Sequence, residues 1–177
     1  HDTASLMASN ADPTSQSNGA LMRAIPLGLL CAGRSAETAI RLASMDSSLT
    51  HPNEICTATG QIYVDMIRYA LDAQATRRAV FEYGFERAKE LGADSPLFSC
   101  FELASREPPT NYHQRAGWVL IAFHNALYHL AKETPFPLAI SETILAGGDR
   151  DTNAAICGGL LGAVDGLAAI PEFWRTS

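Results

Sequence analysis

The sequence predicts an all-α fold. Three observations carry this. Apolar residues recur at spacings of three and four along most of the chain, and no segment alternates apolar and polar residues with a period of two. Helix-starting and helix-stopping residues (Ser35, Pro52, Gly92, Gly147-Gly148) break the pattern into helix-sized pieces. At 177 residues, 47% of them hydrophobic, the chain has the size of one domain with a real core, so a single domain over 1–177 is expected.

Taken in order, residues 1–17 are polar, rich in Ser, Thr, Ala and Asn, and read as an irregular lead-in without the apolar run of a secretory leader. Asn18-Gly19 opens an apolar segment from Ala20 to Leu30, which Pro26 kinks or divides. Ser35 caps a helix from Ala36 to about Ser47, with Ala39, Ile40, Leu42 and Ala43 on its apolar side. Thr50-His51-Pro52 is a turn. The helix after it runs to about Ala73, with Ile55, Ala58, Thr59, Ile62, Met66 and Tyr69 in register. Another helix spans Thr76 to Leu91 and stops at Gly92. Ser95 to Ala104 is a short helix, and Glu107-Pro108-Pro109-Thr110 a loop. Arg115 to Lys132 reads as a long apolar helix. Pro135 and Pro137 bound the next helix, which ends at Gly147-Gly148. The last helix follows Asp151 and stops before Pro171, with Phe173 and Trp174 expected to pack back on the body.

Composition excludes some functions. The formal charge of −6 comes with no basic run, which argues against a nucleic-acid surface. The longest apolar run, Ala116 to Leu130, contains Trp118, His124, Asn125 and His129, and is too short and too polar to span a bilayer. Gly158, Gly162 and Gly166 share the spacing of membrane dimer motifs, but Asp165 among them points to close helix packing in water. Cys31, Cys56, Cys100 and Cys157 form no Cys-x-x-Cys pair. They read as buried free thiols, hence a reducing, cytoplasmic setting.

The chemistry concentrates at Gly147-Gly148-Asp149-Arg150-Asp151-Thr152-Asn153. Two carboxylates and a hydroxyl within four residues are hard oxygen ligands suited to Mg²⁺, Mn²⁺ or Ca²⁺. Mg²⁺ needs about six oxygens, so Asp149, Asp151 and Thr152 make a partial site. The competing reading is helix capping, which accounts for one Asp or Thr well and for this whole cluster poorly. A calcium-binding loop is not matched, since no Gly or distal Glu stands in register. A transferase-type Asp-x-Asp belongs at the end of a strand, and no strand is predicted.

Ser17-Asn18-Gly19 entering a helix presents free backbone N–H groups to an anion, although spacing alone reads as an ordinary Asn-Gly turn. His51 before a helix is placed to contact a phosphate or ribose oxygen, although a lone loop His is more often a cap. Arg23 reads as a salt-bridge partner. His124 and His129 are five apart and share no helix face, which excludes a zinc pair. Tyr112, Trp118 and Phe123 are core residues by default.

Taken together, the chain resembles the ADP-ribosylglycohydrolase family. The resemblance rests on Ser17 to Leu27, Thr50-His51-Pro52, Ala116-Gly117-Trp118-Val119-Leu120, and above all Gly147 to Ile156 with Gly162-Ala163, Gly166 and Ile170-Pro171 beyond. It covers about residues 15 to 175. Position 150, usually Thr or Ser in the family, is Arg here. The resemblance implies a multi-helix orthogonal bundle that holds two Mg²⁺ ions (or Mn²⁺), with Asp149, Asp151 and Thr152 as the C-terminal metal ligands. It implies that Ser17, Asn18, Gly19 and His51 bind ADP-ribose. The reaction implied is hydrolysis of the N- or O-glycosidic bond between ADP-ribose and a protein side chain.

The family's N-terminal Gly-Asp and Thr-Asp-Asp-Thr-type motifs are not in the sequence. That half carries further metal ligands and the acidic catalytic residue. The expectation is therefore the C-terminal part of the fold, completed by an N-terminal half on a separate chain. The alternatives are a non-catalytic ADP-ribose-binding or interaction module, motivated by Arg150 and the absent motifs, and an unrelated metal-dependent sugar-nucleotide transferase.

Overall fold

The computed structural model describes residues 3–176. Among them are α1 (Thr3–Asn10), α2 (Gly19–Met22), α3 (Ile25–Leu30), α4 (Ala36–Ser48), α5 (Glu54–Ala73), α6 (Arg77–Glu90), α7 (Pro96–Ala104), α8 (Val119–Ala131), α9 (Phe136–Ala146), α10 (Arg150–Asp165) and α11 (Glu172–Arg175). A 3₁₀ turn at Leu167–Ala169 precedes α11. The described residues contain no strand beyond one isolated bridge, so the all-α expectation holds.

Side chains start the helices where the sequence places them. Ser35 accepts from Thr38 N, Asn53 from Ile55 N, Thr76 from Ala79 N and Ser95 from Leu97 N, each satisfying an amide left over at a helix start. Pro26, Pro96 and Pro137 stand in the first turns of α3, α7 and α9, where a missing N–H costs nothing.

The core forms where α5, α8 and α10 meet. Tyr63, Met66 and Ile67 of α5 are fully buried, as are Phe123, Leu127 and Leu130 of α8 and Ile156, Leu160 and Leu161 of α10. Phe101 of α7 meets Phe123 edge-on at 5.6 Å. The Tyr63 hydroxyl donates to Ile156 O at 2.8 Å, so its one polar group is satisfied inside the core. The small residues of α10 permit this approach: a Cβ at Gly159 would overlap Ile25 and sit 2.8 Å from the Tyr63 hydroxyl. All four cysteines are free and buried. Among the described residues, no helix is long and apolar enough to cross a membrane.

The structure corrects four expectations and bears out one. The expected lead-in contains α1, whose last turn is closed by Ser9 Oγ and Asn10 Nδ2 on Leu6 O; residues 1 and 2 lie outside the described residues. The 20–30 segment divides at Arg23-Ala24 as expected, because Pro26 has no N–H to donate to Met22 O four residues back. The helix expected from Arg115 begins only at Val119, whose amide donates to Gln16 O at 2.9 Å, so residues 115–118 form a loop. The last helix begins at Arg150 and ends at Asp165. Trp174 meets Phe136 edge-on at 6.5 Å, whereas Phe173, edge-on to Trp174 at 5.8 Å, stays 67% exposed.

His129, in the middle of the bundle, is 3% exposed. Burial, aided by the nearby Arg77 charge, lowers its pKa to about 4. A histidine whose folded pKa lies below its unfolded value of about 6.5 contributes stability that is complete above that pH and lost as pH falls through the folded pKa.

Two measurements check this packing. Gly159→Ala should destabilise the protein by about 1–3 kcal/mol in urea unfolding, through overpacking. Gly60→Ala, where an added Cβ meets nothing within 4 Å, should be neutral or stabilising by up to about 1 kcal/mol; the reverse order would contradict the packing described. By NMR, the His129 imidazole should stay neutral down to pH 5, and unfolding midpoints should fall between pH 6.5 and about 4. A His129 midpoint near 6.5 would contradict its burial.

Candidate functional site

The site grows from the turn between α9 and α10. Gly147 and Gly148 adopt φ of 88° and 66°, a region that disfavours side chains. Space demands glycine too: a Cβ on Gly148 would overlap Tyr112 O, and one on Gly147 would overlap the His113 ring. The 112–113 backbone is anchored in turn. The Tyr112 hydroxyl donates to Asn125 Oδ1 at 2.7 Å, Asn125 Nδ2 to Thr143 Oγ1 at 2.9 Å, and Thr143 Oγ1 to Ala139 O at 2.8 Å. A buried polar chain thus ties the loop to α8 and α9 and sets the direction in which α10 starts.

Asp149 is the N-cap residue of α10, yet its side chain makes no capping bond. It accepts from Asn18 Nδ2 at 2.9 Å instead. Capping alone therefore does not explain this carboxylate. Asp151 is exposed on the first turn. Its carboxyl is held below the usual carboxylate range by the Thr152 amide, then by a hydrogen-bonding contact with the Asp149 carboxyl, then by its own amide. The Thr152 hydroxyl donates to Met22 Sδ at 3.8 Å. Arg150, between the two aspartates in sequence, is exposed.

The 15–19 loop faces this turn. Gln16 and Asn18 pair with residues 117–119 through Val119 N on Gln16 O and Asn18 N on Gly117 O at 2.8 Å. Trp118 Nε1 donates to Gln16 Oε1 at 2.8 Å. These bonds bury Asn18 to 5% exposure and aim its amide at Asp149, with a longer contact of 3.4 Å to Asn153 Oδ1. Asn153 Nδ2 is buried with no protein partner.

His51 closes the other side. Its Nε2 is 2.7 Å from Ser17 Oγ and its Nδ1 2.8 Å from Thr50 Oγ1. A Cβ on Gly19 would stand 3.0 Å from the ring, so only glycine lets helix α2 start here at ordinary contact. Arg23 donates to Thr50 Oγ1 at 2.7 Å and pairs with Asp46 at 3.2 Å. A relay that uses every donor runs from Arg23 to Thr50, from Thr50 to His51 Nδ1, and from His51 Nε2–H to Ser17. It leaves the Ser17 hydroxyl hydrogen free for a ligand. Burial, then the Arg23 charge, lowers the His51 pKa, which keeps the ring neutral at pH 7.

The structure therefore brings Ser17, Asn18, Gly19 and His51 into one network and joins it to Asp149, with Asp151 and Thr152 on the next turn. Arg23 is the ion-pair partner that the sequence reading expects. That reading gives no hydrogen-bonding role to Thr50, named only as part of a turn, or to Asn153, named only as part of the motif. Asn153 lies four residues after Asp149, on the same helix face, and that spacing is the available signal. Among the described residues, no three His, Cys, Asp or Glu side chains group as a metal site.

Comparison with known proteins gives a consistent answer. The sequence profile of the ADP-ribosylglycohydrolase family matches residues 2–177. A protein of Acanthamoeba polyphaga mimivirus that carries the name ADP-ribosyl glycohydrolase is 29% identical, over 92% of this chain and 54% of its own length. A solved structure titled ADP-ribosylglycohydrolase-related protein complex superposes with a TM-score of 0.80 at 26% identity, over 94% of this chain and 56% of that one. This chain thus spans about half the length of each of these two relatives. With the profile running across nearly every residue, the chain belongs to the ADP-ribosylglycohydrolase family.

Proposed function

We propose that this chain forms one wall of the active site of an ADP-ribosyl hydrolase. Such an enzyme cleaves the glycosidic bond between ADP-ribose and a modified protein side chain. The observation that carries the reading is the 2.9 Å bond from Asn18 to Asp149, which joins an anion-compatible loop to a carboxylate turn. A ligand with both phosphates and a ribose diol needs both features side by side.

The residues fit divalent cations such as Mg²⁺ or Mn²⁺ in their donor chemistry. Asp149 and Asp151 supply carboxylate oxygens at the start of α10, and Thr152 supplies a hydroxyl without a strong acceptor. Bound cations would supply positive charge to orient the ribose diol and to lower the pKa of a water. Asn18 holds Asp149 in place, and His51 keeps Ser17 ready to donate to a ligand oxygen. Fixed placement of this kind lowers the barrier by removing orientational freedom before reaction.

Three protein oxygens leave most of an octahedral shell unfilled. The other ligands and the acidic catalytic group are proposed to come from the remainder of the family fold. Four buried free thiols suit a cytoplasmic location.

The test is release of free ADP-ribose from an ADP-ribosylated protein by the complete assembly. Asp151→Ala should lower the rate by about 100-fold or more. A wild-type rate in that variant would remove Asp151 from the site. Binding of ADP-ribose without release by the unmutated assembly would support the non-catalytic binding module instead.

A further inference from the structure

A cavity of about 290 Å³ opens between α8, α9 and the 108–112 loop, lined in part by Pro108, Pro109, Tyr112, Asn125, Tyr128, His129 and Glu142. Tyr112 and Asn125 also brace the Gly147-Gly148 turn; His129, Tyr128 and Glu142 have no part in the catalytic reading. His129 lines it at 3% exposure, and its Nδ1 is buried with no hydrogen-bond partner. A buried polar nitrogen left unpaired carries a desolvation cost that nothing in the protein offsets.

Three polar groups at this cavity share one character. Glu142 Oε2 is 3.8 Å from His129 Nδ1, beyond hydrogen-bond reach, and no cationic side chain of the described residues pairs with Glu142. Arg77, the charge nearest His129, is tied to Asp165 and to the carbonyls of His129 and Thr134. The Tyr112 hydroxyl places its hydrogen on Asn125, leaving oxygen lone pairs. Burial keeps the His129 ring neutral, so with its proton on Nε2 the Nδ1 atom is an acceptor. A carboxylate, an imidazole nitrogen and a phenol oxygen match a ligand made of donors. The rings of Tyr112 and Tyr128 add faces that attract a cation.

We propose that this cavity binds a small organic cation, a guanidinium or alkylammonium head, between the Glu142 carboxylate and His129 Nδ1, against the rings of Tyr112 and Tyr128. The charge on Glu142 supplies selectivity, and the orphaned nitrogen supplies direction. The site is separate from the Asp149–Asp151 edge and does not depend on how that edge functions.

Methylguanidinium and its neutral isostere methylurea make a direct test on the full chain, read by ¹⁵N NMR of the His129 imidazole. Methylguanidinium should shift Nδ1 saturably, and methylurea should not. Glu142→Gln, at a half-exposed position and of unchanged shape, should weaken methylguanidinium binding by about 10-fold or more. An equal response to methylurea, an unchanged affinity in Glu142→Gln, or no saturable shift would overturn the proposal. The last result would assign the gap between Glu142 and His129 to a bridging water.

Discussion

One hydrogen bond organises the functional face of this molecule: the Asn18 amide on the Asp149 carboxylate, joining positions 131 residues apart. Asn18 is buried and held by a backbone bond to Gly117, so its amide has little freedom to swing away. Asp149 stands at the start of α10 without using its carboxylate as a cap. A carboxylate turned away from its own helix needs another donor, and Asn18 is that donor. The 15–19 loop and the turn that opens α10 are therefore held against each other by the fold itself.

The surroundings serve this contact. The Gly147-Gly148 turn lies so close to Tyr112 and His113 that no side chain fits there, and the Tyr112–Asn125–Thr143 chain fixes that backbone from the inside. Gly19 admits the His51 ring, and Arg23 and Thr50 determine which ring nitrogen faces Ser17. Each of these residues touches the core or another backbone segment. The site thus depends on the packing of α5, α8 and α10, even though its oxygens lie near the surface.

Much of this is legible in the amino-acid order. Caps such as Ser35 and stops such as Gly92 act within a few residues, so helix boundaries near them follow from local chemistry. Asp149, Asp151 and Thr152 are recognisable for the same reason, since they stand within one turn. The late start of α8 is not legible, because Arg115 to Trp118 suit a helix locally and are drawn away by pairing with Gln16 and Asn18. The roles of Thr50 and Asn153 are missed because they depend on partners far away in sequence. The outward position of Phe173 contradicts a rule of hydrophobic burial that has no knowledge of which face is free.

The account stands or falls on whether Asn18 and Asp149 support each other energetically. A double-mutant cycle of Asn18→Ala and Asp149→Ala, followed by urea unfolding, measures that directly. The account predicts a coupling of about 1.5–3 kcal/mol, the range for a hydrogen bond to a charged group. Effects that add to within about 0.5 kcal/mol would mean that loop and turn are neighbours without mutual support, and would contradict it.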